Sequence, residues 1–354
     1  MSGAVGAAEC IWAAVERILK KKSEYPTVTK RLSLQILLAV GLAAAGAGAR
    51  AQGCDTRDEI PAQARTAAEN AAQQVFAAAS RGDVNALRAS AIPSLQSSFA
   101  GISSALNDNK DAFAGARAQL RTSFLIDTGE KPSQDGRFYC GVFGGGGAQG
   151  GNSAEFEIPG LPVGRYAIVI QDFIGNKGPY ALTTIFQEVG GWKLAGFHVR
   201  PESALGHDGI WYLNRARDYK AKGQNHNAWF YYVTSWDLLA PVTFMDSGLL
   251  SKITQESAAI QPKDVPSGTP VAYAANGKTY SITDMTVLHI DTLDLSVKYS
   301  VPGGGDFART QADARALASA LVAQYPELKD GFSRVWVHAI DPNGGDVVGL
   351  VNLK

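Results

Sequence analysis

The chain has 354 residues, 45% of them hydrophobic, with 33 basic and 33 acidic side chains and a formal net charge of zero. That length favours two domains over one, and the hydrophobic content is ordinary for a globular protein. The first 51 residues hold seven basic and three acidic residues, which leaves 26 basic against 30 acidic in the remainder. A mildly acidic chain without a basic stripe excludes a nucleic-acid surface.

The leader carries a functional signal. Lys20-Lys21-Lys22 and Lys30-Arg31 form a positive flank, and Leu32 to Ala49 is an apolar run of mostly small and aliphatic residues. Ala47-Gly48-Ala49 and Ala49-Arg50-Ala51 both fit a small-x-small cleavage site. This is the pattern of a secretory signal peptide over residues 1–51. The run is close to the lower spanning limit, so an uncleaved membrane anchor is the alternative. A periplasmic or secreted location follows from either reading, the second with the N-terminus held in the membrane.

Beyond the leader only Cys54 and Cys140 remain. An even pair in an oxidising compartment points to a disulfide. Lipidation of Cys54 is the alternative, although Ala51-Gln52-Gly53 fits an acylation signal poorly. Membrane contact is thus expected only through the leader or a lipidated Cys54.

Asp58-Glu59-Ile60-Pro61 marks a helix start. Ala64, Ala68, Ala71, Val75 and Ala79 then recur at helical spacing. Asp83 caps a short second helix, and Pro93 opens a third with Leu95, Phe99, Ile102 and Leu106 on one face. A fourth is expected from Asp108, with Phe113, Ala116 and Leu120. Phe124-Leu125-Ile126 reads as the first strand.

Residues 154–200 read as a meander. Runs rich in β-branched and aromatic residues are separated by Pro159-Gly160, by Gly175 to Pro179, and by Gly190-Gly191. A two-residue Gly-Gly link is a hairpin signal, because Gly supplies the positive φ of primed turns. Gly144 to Gly151 lacks the Gly-Lys-Ser/Thr ending of a phosphate loop and reads as a flexible hairpin tip.

The stretch Val75-Phe76-Ala77-Ala78-Ala79-Ser80-Arg81-Gly82-Asp83 and the closing Gly191-Trp192-Lys193-Leu194-Ala195-Gly196-Phe197 resemble the opening helix and last hairpin of nuclear-transport-factor-2-like domains. The resemblance covers about residues 61–200. It implies a cone: a curved sheet wrapped over helices, often with a pocket. The chain departs from that pattern in its two extra helices before the sheet. No acid/base pair of the family's isomerase or dehydratase members can be placed, so the resemblance leaves activity open.

Asp208 is a good N-cap for a helix to about Lys222, and a second helix begins near Asn225 and ends at Pro241. Tyr212, Ala216, Tyr219, Ala228, Tyr232 and Pro241 resemble a single tetratricopeptide repeat over about residues 209–241, which implies a helical hairpin. Leu249 to Ser257 suggests one more helix. The Pro- and Gly-bearing stretch 261–269 reads as a linker between an α+β domain, 52–260, and a smaller one, 270–354. In the latter, Asn276-Gly277 is the strongest short hairpin signal, and one long helix from Phe307 to Tyr325 is expected on an antiparallel sheet. The fold class is α+β.

Two sets of residues are candidates for function. His198, His207, Asp208 and His226 lie in one segment, and imidazole and carboxylate are suitable metal ligands. Their spacing matches no zinc pattern, and capping explains Asp208. The aromatic set Trp211, Tyr212, Trp229, Tyr232 and Trp236, with Arg215 beside it, offers a binding surface. Burial on all sides is the alternative. Glu155/Glu157 and Asp291/Asp294 are carboxylate pairs that read as solvated. No nucleophile elbow and no cofactor motif is present. The sequence therefore points to an exported protein that binds a partner protein or a small ligand, with a metal-assisted enzyme as the alternative.

Overall fold

The structure, a computed structural model, describes residues 52–131, 135–141, 153–303 and 305–354. The expected leader and the Gly144–Gly151 tip lie outside them. The chain is of the α+β class. No helix among the described residues is long and apolar enough to cross a membrane.

Strand β1 (Gly53–Thr56) comes first. Helices α1 (Ala62–Ser80), α2 (Val84–Ser90), α3 (Pro93–Ser97), α4 (Ala100–Asp108) and α5 (Lys110–Phe113) follow it. Asp83 caps α2 by accepting a hydrogen bond from the Ala86 amide, as its position before the helix suggests. The third helix expected from Pro93 is broken at Ser98-Phe99. The fourth stops at Phe113, and Ala118 to Leu120 already belong to a strand. Gly115, with φ +71°, turns the chain between the two.

Strands β2 (Ala118–Asp127), β3 (Arg137–Cys140), β4 (Ala154–Glu157), β5 (Arg165–Gly175), β6 (Gly178–Glu188) and β7 (Trp192–Pro201) build two sheets. The larger has the order β1-β2-β5-β6-β7, and each neighbouring pair is antiparallel. Strand β4 was expected in the meander. Instead it pairs with β3 and with β10 (Met245–Asp246) in a separate small sheet. The reason lies in β5, where Tyr166 to Ile170 is buried without alternation. Ala167, Val169 and Phe173 face the helices, against Phe76, Leu87 and Phe113. Tyr166, Ile168 and Ile170 face the small sheet, against Phe138 and Phe156. A strand covered on both faces needs a second layer.

Two short strands, β8 (Ser203–Ala204) and β9 (His207–Asp208), lead into α6 (Gly209–Ala221), α7 (Asn225–Leu239) and, beyond β10, α8 (Gly248–Ala258). The C-terminal sheet comprises β11 (Val271–Ala275), β12 (Lys278–His289), β13 (Leu293–Ser300), β14 (Arg334–Ile340) and β15 (Asp346–Asn352), in that spatial order. Asn276 and Gly277 both have positive φ, 53° and 70°, as a primed hairpin turn requires. The sheet was expected to be antiparallel. It is mixed, because β13 and β14 run parallel. Helix α9 (Phe307–Gln324) and the short α10 (Leu328–Gly331) make the crossover that a parallel pair needs.

The hairpin α6–α7 shares one hydrophobic core with this C-terminal sheet. Trp229, Phe230 and Tyr231 join Leu295, Val297, Val335, Val337, Leu317 and Phe332. Val265, in the stretch expected as a linker, is buried in the same core.

Candidate functional site

Alternation along β7 sends Phe197 into the helix-side core and leaves His198 and Arg200 on the opposite face. Register sets their neighbours. Thr183 lies opposite His198, and Ala181 separates Arg200 from Asp172 on the next strand.

Arg200 is held from the hairpin. Its Nη2 donates to the Asp237 carbonyl at 2.9 Å and to Asp237 Oδ1 at 3.2 Å. Its Nε is buried and finds no hydrogen-bond partner among the described residues. The Phe244 ring packs edge-on against His198 at 5.3 Å. Thr183 donates to the Pro241 carbonyl at 3.4 Å, which ties the chain after α7 to the sheet. A bulge after Leu120 lifts Arg121 across the same face, where it pairs with Asp172 and Glu202.

These surroundings reset the ionisation of the site. Burial raises the Asp237 carboxyl to about 6, against the opposing charge of Arg200. Burial, then the Arg200 charge, lowers the His198 imidazole to about 4. The His198 residue is nonetheless exposed to water. Burial also raises Glu202, against Arg121. At neutral pH the site therefore offers two guanidinium groups, carboxylates and a neutral imidazole. That imidazole has one donor and one acceptor nitrogen.

The four expected metal ligands do not converge. His207 stacks on Trp211 at 3.7 Å, and Asp208 caps α6 by accepting from the Trp211 amide at 2.8 Å. His226 lies past the far end of α6, a helix of 13 residues and so about 20 Å long. There its Nε2 meets Asp264 at 3.0 Å and its ring packs on Tyr325 at 4.0 Å. Among the described residues no group of three or more His, Cys, Asp or Glu is arranged to hold a metal ion.

The aromatic set does not form an open surface either. Tyr212, Trp229, Tyr232 and Trp236 are all buried in the core shared with the C-terminal sheet. The two hydroxyls are satisfied inside: that of Tyr212 donates to the Ala204 carbonyl and that of Tyr232 to Glu256. Only Trp211 and Arg215 lie at its rim, 5.9 Å from ring centroid to guanidinium. Helix α7 is buried on most sides, with α6 covering one and the C-terminal unit another.

Cys54 and Cys140 are bridged, with Cα atoms 4.7 Å apart, and this joins β1 to the small sheet. Sequence reasoning reached His198 but missed Arg200, Asp237, Arg121, Asp172 and Glu202. The signal that could have found two of the five, Arg200 and Glu202, is His198-Val199-Arg200-Pro201-Glu202, polar residues at alternate positions along and just past the end of β7. No family model matches the chain, and neither a curated protein nor a solved structure is similar to it.

Proposed function

We propose that this is an exported protein of the cell envelope, periplasmic or secreted, that binds a small acceptor-bearing ligand at Arg200 without transforming it. One observation carries the reading. Arg200 is pinned through Nη2 by Asp237, while its buried Nε has no partner beside the neutral, water-accessible His198. A buried guanidinium donor left unpaired costs stability, and a carboxylate or phosphate ester would satisfy it. The basic–apolar–small leader and the bridged cysteines support export. The order of helices followed by an antiparallel sheet over 62–201 is what a nuclear-transport-factor-2-like cone would need, and such a cone would leave room for a ligand.

A metal-independent exported enzyme is the second reading, favoured by a carboxyl near 6 close to a neutral imidazole. The test is a thermal-shift screen with mono- and dicarboxylates and sugar phosphates. A ligand at a hundred times its Kd adds about 2.7 kcal/mol of stability. The expected outcome is a rise in Tm that Arg200→Gln abolishes. A flat response across the panel, or a rise that persists in Arg200→Gln, would refute the assignment.

A further inference from the structure

Strand β15 closes the C-terminal sheet on one side. It has β14 along one edge and, among the described residues, no strand along the other. Two backbone bonds fix which of its residues point where. The Asp341 amide donates to the Gly345 carbonyl at 3.0 Å, and the Leu353 amide donates to the Ser333 carbonyl at 2.8 Å. Bonded pairs recur at every second position of an antiparallel ladder, so Val347, Gly349 and Val351 turn their backbone groups to β14. Asp346, Val348, Leu350 and Asn352 turn theirs to the open edge. Among the described residues one group answers them: Gln311 Nε2, from α9, donates to the Val348 carbonyl at 3.3 Å.

Sheets protect an open edge with a short strand, a Lys or Pro, a bulge, or a covering element. The other edges of this chain show such devices. Strands β1 and β3 have four residues each and are joined by the disulfide. The far side of β7 is met by the Ile92 amide, which donates to the Leu194 carbonyl at 2.9 Å. Strand β15 has seven residues, carries neither Lys nor Pro, and pairs with β14 without a bulge. Helix α9 lies on its face, where Gly349 admits the helix backbone.

The strand's own sequence says what fits this edge. Asp346-Val347-Val348-Gly349-Leu350-Val351-Asn352 reads almost alike in both directions about Gly349. A two-fold axis at Gly349 sets Val348 opposite Leu350 of a second copy, Asp346 opposite Asn352, and Val347 opposite Val351. In that register the outward-pointing residues meet only one another, so their open N–H and C=O groups pair. The half-exposed Val348 and Leu350 cover each other, and no carboxylate faces a carboxylate. A shift of two residues either way sets Asp346 against Leu350 or Val348 against Asn352, polar against apolar. An unrelated extended peptide could use the same backbone groups, but it gives the near-palindrome no role. Self-complementarity is what a two-fold contact requires.

We infer that two copies of this chain join through β15, antiparallel about a two-fold axis at Gly349, into one continuous sheet. The Val348 carbonyl exchanges the Gln311 side chain for the Leu350 amide of the second copy. Both α9 helices then lie on the same side of the joined sheet.

The test is sedimentation velocity and light scattering on the purified oxidised chain over a concentration series, with amide exchange measured at its two ends. A monomer–dimer equilibrium without larger species is expected, because a closed two-fold contact occupies the edge. The amides of Val348 and Leu350 should be slowed only in the dimer, and those of Gly349 and Val351 in both states. Leu350→Pro removes an outward N–H and spares the β14 ladder, so it should weaken the dimer tenfold or more. Leu350→Lys keeps every backbone group and should weaken it as much by setting a charge against Val348. Asn352→Asp stands beside Arg334 in its own copy and should leave the monomer as stable. It should still weaken association severalfold, because it faces Asp346 of the other copy. Arg200→Gln should leave the dimer unchanged, which separates this edge from the site on β7. Should Leu350→Pro fail to fold, Leu350→Lys and Asn352→Asp carry the same test. The proposal is overturned if the chain stays monomeric up to about 1 mM, if the dimer survives Leu350→Lys and Asn352→Asp unchanged, or if open-ended polymers form instead.

Discussion

Replacing Arg200 by Met removes the countercharge of Asp237 while keeping most of the packing volume. Breaking a buried ion pair from one side costs about 3–5 kcal/mol. The Asp237 side chain keeps 27% of its surface in water, so the expected cost at pH 7.5 is at the low end, about 3 kcal/mol. Burial is the larger influence on Asp237 and raises its pKa to about 6, while Arg200 lowers it. Without Arg200 the folded-state value must move above 6. A carboxyl whose folded pKa is raised binds its proton more tightly when folded. Its stabilising contribution is therefore full below the unfolded value near 3.8, and it is lost as pH rises towards the folded value. In the parent protein that loss is complete near pH 6. In Arg200→Met it continues above 6, at up to about 1.4 kcal/mol per pH unit. At pH 4.5 Asp237 is protonated in the folded state, and the substitution should cost only the guanidinium's hydrogen bond to neutral acceptors, about 1.5 kcal/mol. Urea unfolding at pH 4.5, 6.0 and 7.5 measures this. In an Asp237→Asn background, which cannot ionise, the pH dependence of the Arg200→Met cost between pH 6.0 and 7.5 should vanish, and what remains at lower pH belongs to His198, whose imidazole Arg200 also holds down. Parallel stability profiles of the parent and Arg200→Met across this range would refute the assignment of Arg200 as the countercharge.

Two further outcomes follow from the packing. The Cys54–Cys140 bridge spans 86 residues of sequence, and its loss in Cys54→Ser/Cys140→Ser should cost about 4–5 kcal/mol by loop entropy. Calorimetry should show Tm lower by about 10–20 °C, and a fall of less than about 4 °C would contradict the staple role. Gly349 on β15 faces the backbone of α9: an added Cβ would lie 2.4 Å from the Arg315 nitrogen and 2.5 Å from the Ala314 carbonyl carbon. Gly349→Ala should destabilise by about 1–3 kcal/mol through overpacking, and a neutral result in urea would show that helix and strand are not seated this closely.

Local chemistry made many of the elements legible. Gly190-Gly191 and Asn276-Gly277 turn where their backbone freedom predicts, with φ of 60° and 120° at the first pair. The helix read from Phe307 to Tyr325 spans Phe307–Gln324. What was not legible was which surface covers which. Trp229-Phe230-Tyr231-Tyr232 has no helical periodicity to show a solvent side, and only the assembled chain reveals that the helix has none. The helix expected from Asp108 stops at Phe113 because Ala116 and Leu120 keep a helical spacing that a turn at Gly115 and strand pairing to β5 override. The charged site escaped for a plainer reason: Arg200 and Asp237 lie 37 residues apart, and pairing across that distance leaves no local pattern beyond polar alternation on β7.

Helix α7 joins these findings mechanically. Near its C-terminal end Asp237 holds Arg200 of the first sheet. Near its start Asn227 donates to the Glu327 carbonyl at 2.6 Å, and Tyr231 donates to the Gly331 carbonyl at 2.8 Å, both in the C-terminal unit. Its middle is buried in the core shared with the C-terminal sheet. A rigid helix of 15 residues is thus gripped at one end by the ion pair and over the rest by the other unit. Protonation of Asp237 or loss of Arg200 weakens that grip, leaving the Thr183–Pro241 hydrogen bond and the β10–β4 pairing beyond it, without disturbing the C-terminal core. The first consequence should be a looser seating of the hairpin on β7, with increased amide exchange over residues 237–246 and not over 226–232. Exchange rising equally along the whole helix would show that the two units unfold as one.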